Sequence, residues 1–236
     1  MENKIDNLKN IEIEVEGKKL LVFERFPNFI PYIGEEYGSG NHKKLLLIWE
    51  SYYTTKSVPE ILEKPSSWYF DAKDDEIEKI FGNKKNHYEH HWNFASKMHK
   101  DGIDRKSPTF QNVEKILDKF SIDKNSFKYC AGYNYYLRPA LDSSSIKSDK
   151  LDEEVARETL KAIIQVLEPD AVIFFSKKAN ASFKPYRVEL EHIKYKAFVH
   201  PASAWWNRKS GKEPQKTGKK RFEEFIEELY QQNFNK

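Results

Sequence analysis

The chain has 236 residues, 39% of them hydrophobic and 14% aromatic, which suits one large α/β domain or two very small ones and excludes a disordered chain. Lys and Arg number 40 against 37 Asp and Glu, a formal charge of only +3, so an anionic partner must be met by a local patch. The one cysteine, Cys130, excludes an intrachain disulfide and a four-cysteine zinc or iron–sulfur site.

Residues 10–24 alternate apolar and polar around Glu16-Gly17-Lys18, as a hairpin does, and 1–42 is read as that hairpin plus a loop-like lead-in. Leu45–Ile48 is a four-residue apolar run that fits a strand buried on both faces. Residues 51–110 are polar and aromatic, with short helices expected, one around Asp74–Phe81. Asn112–Phe120 has helical spacing, and Phe127–Tyr136 reads as a second strand ending at Leu137-Arg138-Pro139. Asp152–Leu167 carries a clear helical stripe, stopped by Glu168-Pro169-Asp170. Ala171–Phe175 is a third strand, with a helix starting near Lys178. Tyr195–Val199 is a fourth strand, and Lys219–Gln232 a terminal helix.

Strands alternating with helices predict one three-layer α/β/α domain over 1–236, with a central, mainly parallel four-stranded sheet. Ligands of such sheets sit outside the carboxyl ends of the strands. Those ends carry Glu50-Ser51, Asn134, Ser176 and His200. A carboxylate there can orient water or face a cation, an imidazole can donate to a leaving group, and an amide can read a polar edge. Each also has an ordinary structural use: a helix cap, a satisfied histidine, a turn asparagine.

The segment 205–221 (WWNRKSGKEPQKTGKKR) adds weight to the chemical use. It holds seven basic residues against one acid, a local charge of +6, behind Trp205 and Trp206. An aromatic wedge beside phosphate-binding cations is what extruding a base from a duplex requires. Trp205, Trp206, Asn207, Arg208, Lys209 and Lys212 are the expected DNA contacts, with one tryptophan expected to pack in the core.

His87, His90, His91 and His99 form a second cluster. His87 and His91 have the i, i+4 spacing of a shared metal, but Tyr88 stands where a zinc-hydrolase Glu would be, so no metal is expected. No phosphate-cradling glycine loop and no nucleophile elbow is present. With no apolar leader and no membrane-length run, a cytoplasmic protein without a membrane partner is expected. No obligate protein partner is implied.

The ordered set of segments resembles the uracil-DNA glycosylase superfamily. Phe29–Gly34 is similar to the lead-in of bacterial members whose first motif reads Gly-Glu-Ser, and Leu45–Tyr53 stands at that motif. Tyr133-Asn134-Tyr135 is similar to the base-reading stretch, and Val199–Ser203 looks like the His-Pro-Ser motif. The resemblance implies Glu50, Ser51 and His200 as catalytic residues, and Asn134, Tyr53 and Trp49 around the base. It implies duplex DNA as partner, a flipped base, an abasic product and no cofactor. Trp49 replaces the motif's Gly, Ser51 an Asp, Tyr52 a Pro, and Ala202 the first Ser after His-Pro. These departures shift the expected substrate from uracil toward a modified pyrimidine such as glucosylated hydroxymethylcytosine of phage DNA, excised in antiviral defence. Uracil excision in repair, a non-catalytic DNA-binding module on the same fold, and a hydrolase of free nucleosides are the alternatives.

Overall fold

A computed structural model describes residues 2–40, 42–54, 62, 64–73, 107–121, 124–141, 145–211 and 215–231. The helix expected around Asp74–Phe81 and the cluster His87, His90, His91 and His99 lie outside the described residues, as does Lys212.

Helix α1 (Glu2–Lys9) leads into the hairpin of β1 (Glu12–Val15) and β2 (Lys18–Leu21). Glu16 and Gly17 turn it with φ of 52° and 72°, the two positive values that a two-residue turn matched to strand twist requires. A short turn α2 (Val22–Arg25) and β3 (Tyr32–Ile33) follow, then β4 (Leu45–Thr54), α3 (Pro108–Leu117) and β5 (Cys130–Leu141). The second half alternates α4 (Lys150–Leu167), β6 (Ala171–Phe174), α5 (Lys177–Phe183), β7 (Lys194–Ala197) and α6 (Gly218–Gln231).

Among the described residues the sheet has five strands, not four, in the order β3-β5-β4-β6-β7. The four expected strands are mutually parallel; the extra one, β3, pairs antiparallel on β5 through two residues only. Two residues are too few for a hydrophobic period, so β3 left no sequence signal. Strand β4 also outruns its apolar segment, because its polar end stays paired with β5 as far as Thr54 and Leu141. Strand β5 starts at Cys130, after a tight turn at Ser126–Tyr129, and continues through Pro139. The register slips between Ser51 and Tyr53, and this irregularity accommodates a residue that cannot donate to the ladder.

Helix α4 begins two residues before its expected start, at a capping box. The Asp149 side chain accepts the Asp152 N–H, and the Asp152 carboxylate accepts the Asp149 N–H. Helices cover both faces. On one, Leu46, Ile48 and Tyr133 pack with Val155, Leu160 and Ile163 of α4, Phe183 of α5 and the hairpin; on the other, Leu45, Leu47, Trp49 and Phe175 meet α3 and α6. Burying each such Leu or Ile is worth ~1.5–3 kcal/mol, so the Leu45–Ile48 run fixes β4 at the centre. Among the described residues, no helix is long and apolar enough to cross a membrane.

From β4 the chain crosses to β5 on one side, then returns past β4 to β6 on the other. The carboxyl ends of β4 and β6 therefore flank the switch point of the topology, where connections leave in opposite directions and open a crevice.

Candidate active site at the strand ends

Glu50 stands at this switch point, half-buried, with three donors on its carboxylate. Ser176, the first residue past β6's end pairing, donates from Oγ to Oε2 at 2.7 Å. Oε1 accepts the Ser145 hydroxyl and the Ile146 N–H, the latter at 3.3 Å. No cation pairs with Glu50 among the described residues. A carboxylate held by neutral donors keeps its field available to an incoming positive group.

His200 follows β7 after Phe198, whose N–H extends the pairing to the Phe174 carbonyl at 2.8 Å. The turn after it is closed by the Ser203 N–H on the His200 carbonyl at 2.9 Å, and the Pro201 carbonyl accepts Asn112 Nδ2 of α3 at 2.8 Å. Desolvation holds the His200 pKa below its usual value, while the nearby Glu50 carboxylate pulls the other way. The Ala202 N–H points at His200 Nδ1, 3.3 Å away. An acceptor at Nδ1 leaves the proton of the neutral ring on Nε2. His200 thus has a backbone N–H on Nδ1 and keeps an exposed edge.

Asn134 is buried, opposite Trp49 in the register and beside the Tyr52 hydroxyl. Tyr53 is 42% exposed, and its hydroxyl is pushed up first by burial and then by the Glu50 charge, so it borders the same carboxylate. Ser51 is only 5% exposed, and its Oγ has no hydrogen-bond partner among the described residues. A buried hydroxyl without a partner costs ~1–3 kcal/mol, a cost met where a ligand completes it. Trp49 lies between Phe110 and Phe175, with ring centroids at 5.3 and 5.1 Å. Its bulk is absorbed on the face covered by α3 and α6, whereas the alternation along β4 turns Glu50 to the opposite face.

The basic segment is less uniform than its sequence. Trp206 is fully buried against Phe175 and Phe222, so it anchors the turn and is not a DNA contact. Trp205, its neighbour on the same single-turn helix Ala204–Trp206, is 54% exposed. Gly218 packs under this turn: a Cβ there would lie 2.3 Å from Val199 Cγ2 and 3.2 Å from the Trp205 carbonyl oxygen. Lys216 pairs with Glu224 at 2.8 Å, Lys220 with Glu223 at 3.4 Å, and Arg221 donates to the Ser210 carbonyl at 2.5 Å. Lys216 and Arg221 thus brace the loop against α6, while Lys220 pairs within the helix, to which residues 218–221 belong. Asn207, Arg208, Lys209 and Lys219 remain exposed, with no ion pair among the described residues.

Sequence reasoning missed Asn112, Ser145 and Ile146 as supports of the site. Ser176 had a legible signal as an N-cap before Lys177–Phe183, but its bond to Glu50 joins residues 126 apart. No group of three or more metal-ligating side chains is gathered among the described residues. No protein-family model matches the chain, and no curated protein sequence does.

Proposed function

We propose that the chain is a monofunctional DNA glycosylase that extrudes a modified pyrimidine and hydrolyses its N-glycosidic bond. The observation that carries this reading is that Glu50 and His200 stand at the same end of the sheet, near enough to interact electrostatically, with the Ala202 N–H directed at His200 Nδ1. Breaking the C1′–N bond builds positive charge on the sugar and negative charge on the departing base. Glu50 faces the first and His200 Nε2–H donates to the second; such groups are worth ~3–4 kcal/mol each. Water adds to C1′, its proton passes through Glu50 to solvent, and the base leaves to give an abasic site.

The remaining groups fit the same event. Asn134 reads the polar edge of the flipped base, and Ser51 Oγ supplies a second buried polar contact. Trp205 fills the gap in the duplex, while Arg208, Lys209 and Lys219 hold phosphates. The resemblance of the motifs to the uracil-DNA glycosylase superfamily points the same way, and the rebuilt first motif favours glucosylated hydroxymethylcytosine over uracil.

The experiment is incubation with duplexes carrying uracil, hydroxymethylcytosine or its glucosylated form, followed by alkaline cleavage of abasic sites. Strand breaks at the glucosylated base are the expected result. Salt-sensitive DNA binding without breaks on any of the three duplexes would replace catalysis by a binding role. Release from free nucleosides but not from duplexes would replace DNA as the substrate.

A further inference from the structure

Ser176 is almost buried, and its hydroxyl has two partners with opposite roles. It accepts the Ala179 N–H at 3.2 Å as the cap of α5, and it meets Glu50 Oε2 at 2.7 Å. The amide can only donate, so the one hydroxyl proton is committed to the carboxylate. Its direction is therefore set by the start of a helix rather than by a free rotor.

The other oxygen is fixed by a strap, residues 145–149, that is itself tied at every step. The Ile146 carbonyl accepts Lys178 Nζ, and the Lys147 carbonyl accepts Arg138 Nη2 at 2.8 Å. Ser148 donates to Glu153 at 2.6 Å, and Asp149 caps α4. Ser145 and Ile146 together fill Oε1 with two donors, whereas Oε2 takes one, from Ser176. An ionised carboxylate accepts about four hydrogen bonds, two on each oxygen. Among the described residues, the acceptor position left for a water is thus on Oε2.

We infer that Ser176 is a positioning residue for Glu50: it orients the carboxylate so that Oε2, the oxygen it holds, receives the attacking water. This rests on the reading of Glu50 as the residue that orients water. The strap fixes Oε1 and α5 fixes Oε2, so the carboxylate plane is clamped between two elements that Lys178 also ties to each other. Misplacing a reacting group by about an ångström costs roughly a hundredfold in rate.

The test compares Ser176→Ala, Ser176→Thr and Ser182→Ala. Ser182 sits on the same helix, but its hydroxyl serves Glu153. Ser176→Ala should lower kcat about a hundredfold with KM unchanged. Ser176→Thr, which keeps both bonds, should stay near wild type, and Ser182→Ala should leave kcat unaffected. In a Glu50→Gln background, Ser176→Ala should cause no further loss. A readout independent of activity is the Glu50 carboxyl carbon-13 resonance, assigned by its disappearance in Glu50→Gln. It should move in Ser176→Ala and stay in Ser182→Ala. An unmoved resonance, an unchanged kcat, or a full extra loss in the double variant would overturn the inference. If wild-type protein releases no base, the glycosylase reading fails while the resonance still decides the role of Ser176.

Discussion

Two carboxylates are held near the same end of the sheet, and their surroundings differ in kind. Asp152, fully buried, receives Arg138 Nε at 2.9 Å and Nη2 at 2.5 Å, the Tyr69 hydroxyl at 2.9 Å and the Asp149 N–H at 3.1 Å. Arg138 also donates to the carbonyls of Leu62 and Lys147. Glu50 receives two hydroxyls and a backbone N–H, with no cation among the described residues, and borders the exposed edges of His200 and Tyr53. A buried charge matched by an opposite charge, with every lone pair filled, pins segments together. A charge held by neutral donors at a crevice retains its field for a substrate.

The sharpest way to break this contrast is to exchange the consequences. Arg138→Ala leaves Asp152 buried and uncompensated and should cost about 3–5 kcal/mol of stability by denaturant unfolding. The fraction that remains folded should lose far less activity than Glu50→Gln does, because Arg138 reaches Glu50 only through the Lys147 carbonyl of the strap. Glu50→Gln should do the reverse, lowering kcat by ~10²–10³ while the unfolding midpoint hardly moves. Should Glu50→Gln unfold the protein as Arg138→Ala does, Glu50 would be a second clamp and not a catalytic group.

A smaller effect separates the two adjacent tryptophans. Trp205→Ala removes an exposed ring and should weaken duplex binding or extrusion by ~1–3 kcal/mol, read by fluorescence of a base analogue beside the target, with the melting temperature unchanged. Trp206→Ala should act only on stability, since that ring is enclosed by Phe175 and Phe222. Equal effects of the two substitutions on extrusion would remove the wedge role from Trp205.

The pattern of legibility follows from the range of each interaction. Strands β4 to β7 and helices α4 and α6 announce themselves because an apolar run or a 3.6-residue stripe is local. The edge strand β3 has only two paired residues and owes its existence to β5. Glu50 and His200 stood out as polar residues closing buried strands, but nothing local says that Ser176, Ser145 and Asn112 support them. Those contacts span 126, 95 and 89 positions. The charge run at 208–221 misled in the other direction. Lys216, Lys220 and Arg221 are balanced by α6 acids and loop carbonyls that a count of charges in sequence does not pair.

The mildest test asks whether Glu50 and His200 feel each other at all. Burial lowers the His200 pKa from its usual 6.5, and Glu50 partly restores it. The folded state therefore takes up this proton less readily than the unfolded chain. The stabilising share is complete above 6.5 and is lost as pH falls from there toward the folded value, below which no further slope remains. A proton NMR titration of the imidazole should place His200 below 6.5 in the native protein. Glu50→Gln, by removing the opposing charge, should move it lower still, and any acid limb of kcat/KM should shift in the same direction. A histidine that titrates at or above 6.5, or that ignores the Glu50 substitution, would separate the two residues and leave Glu50 with Tyr53 alone.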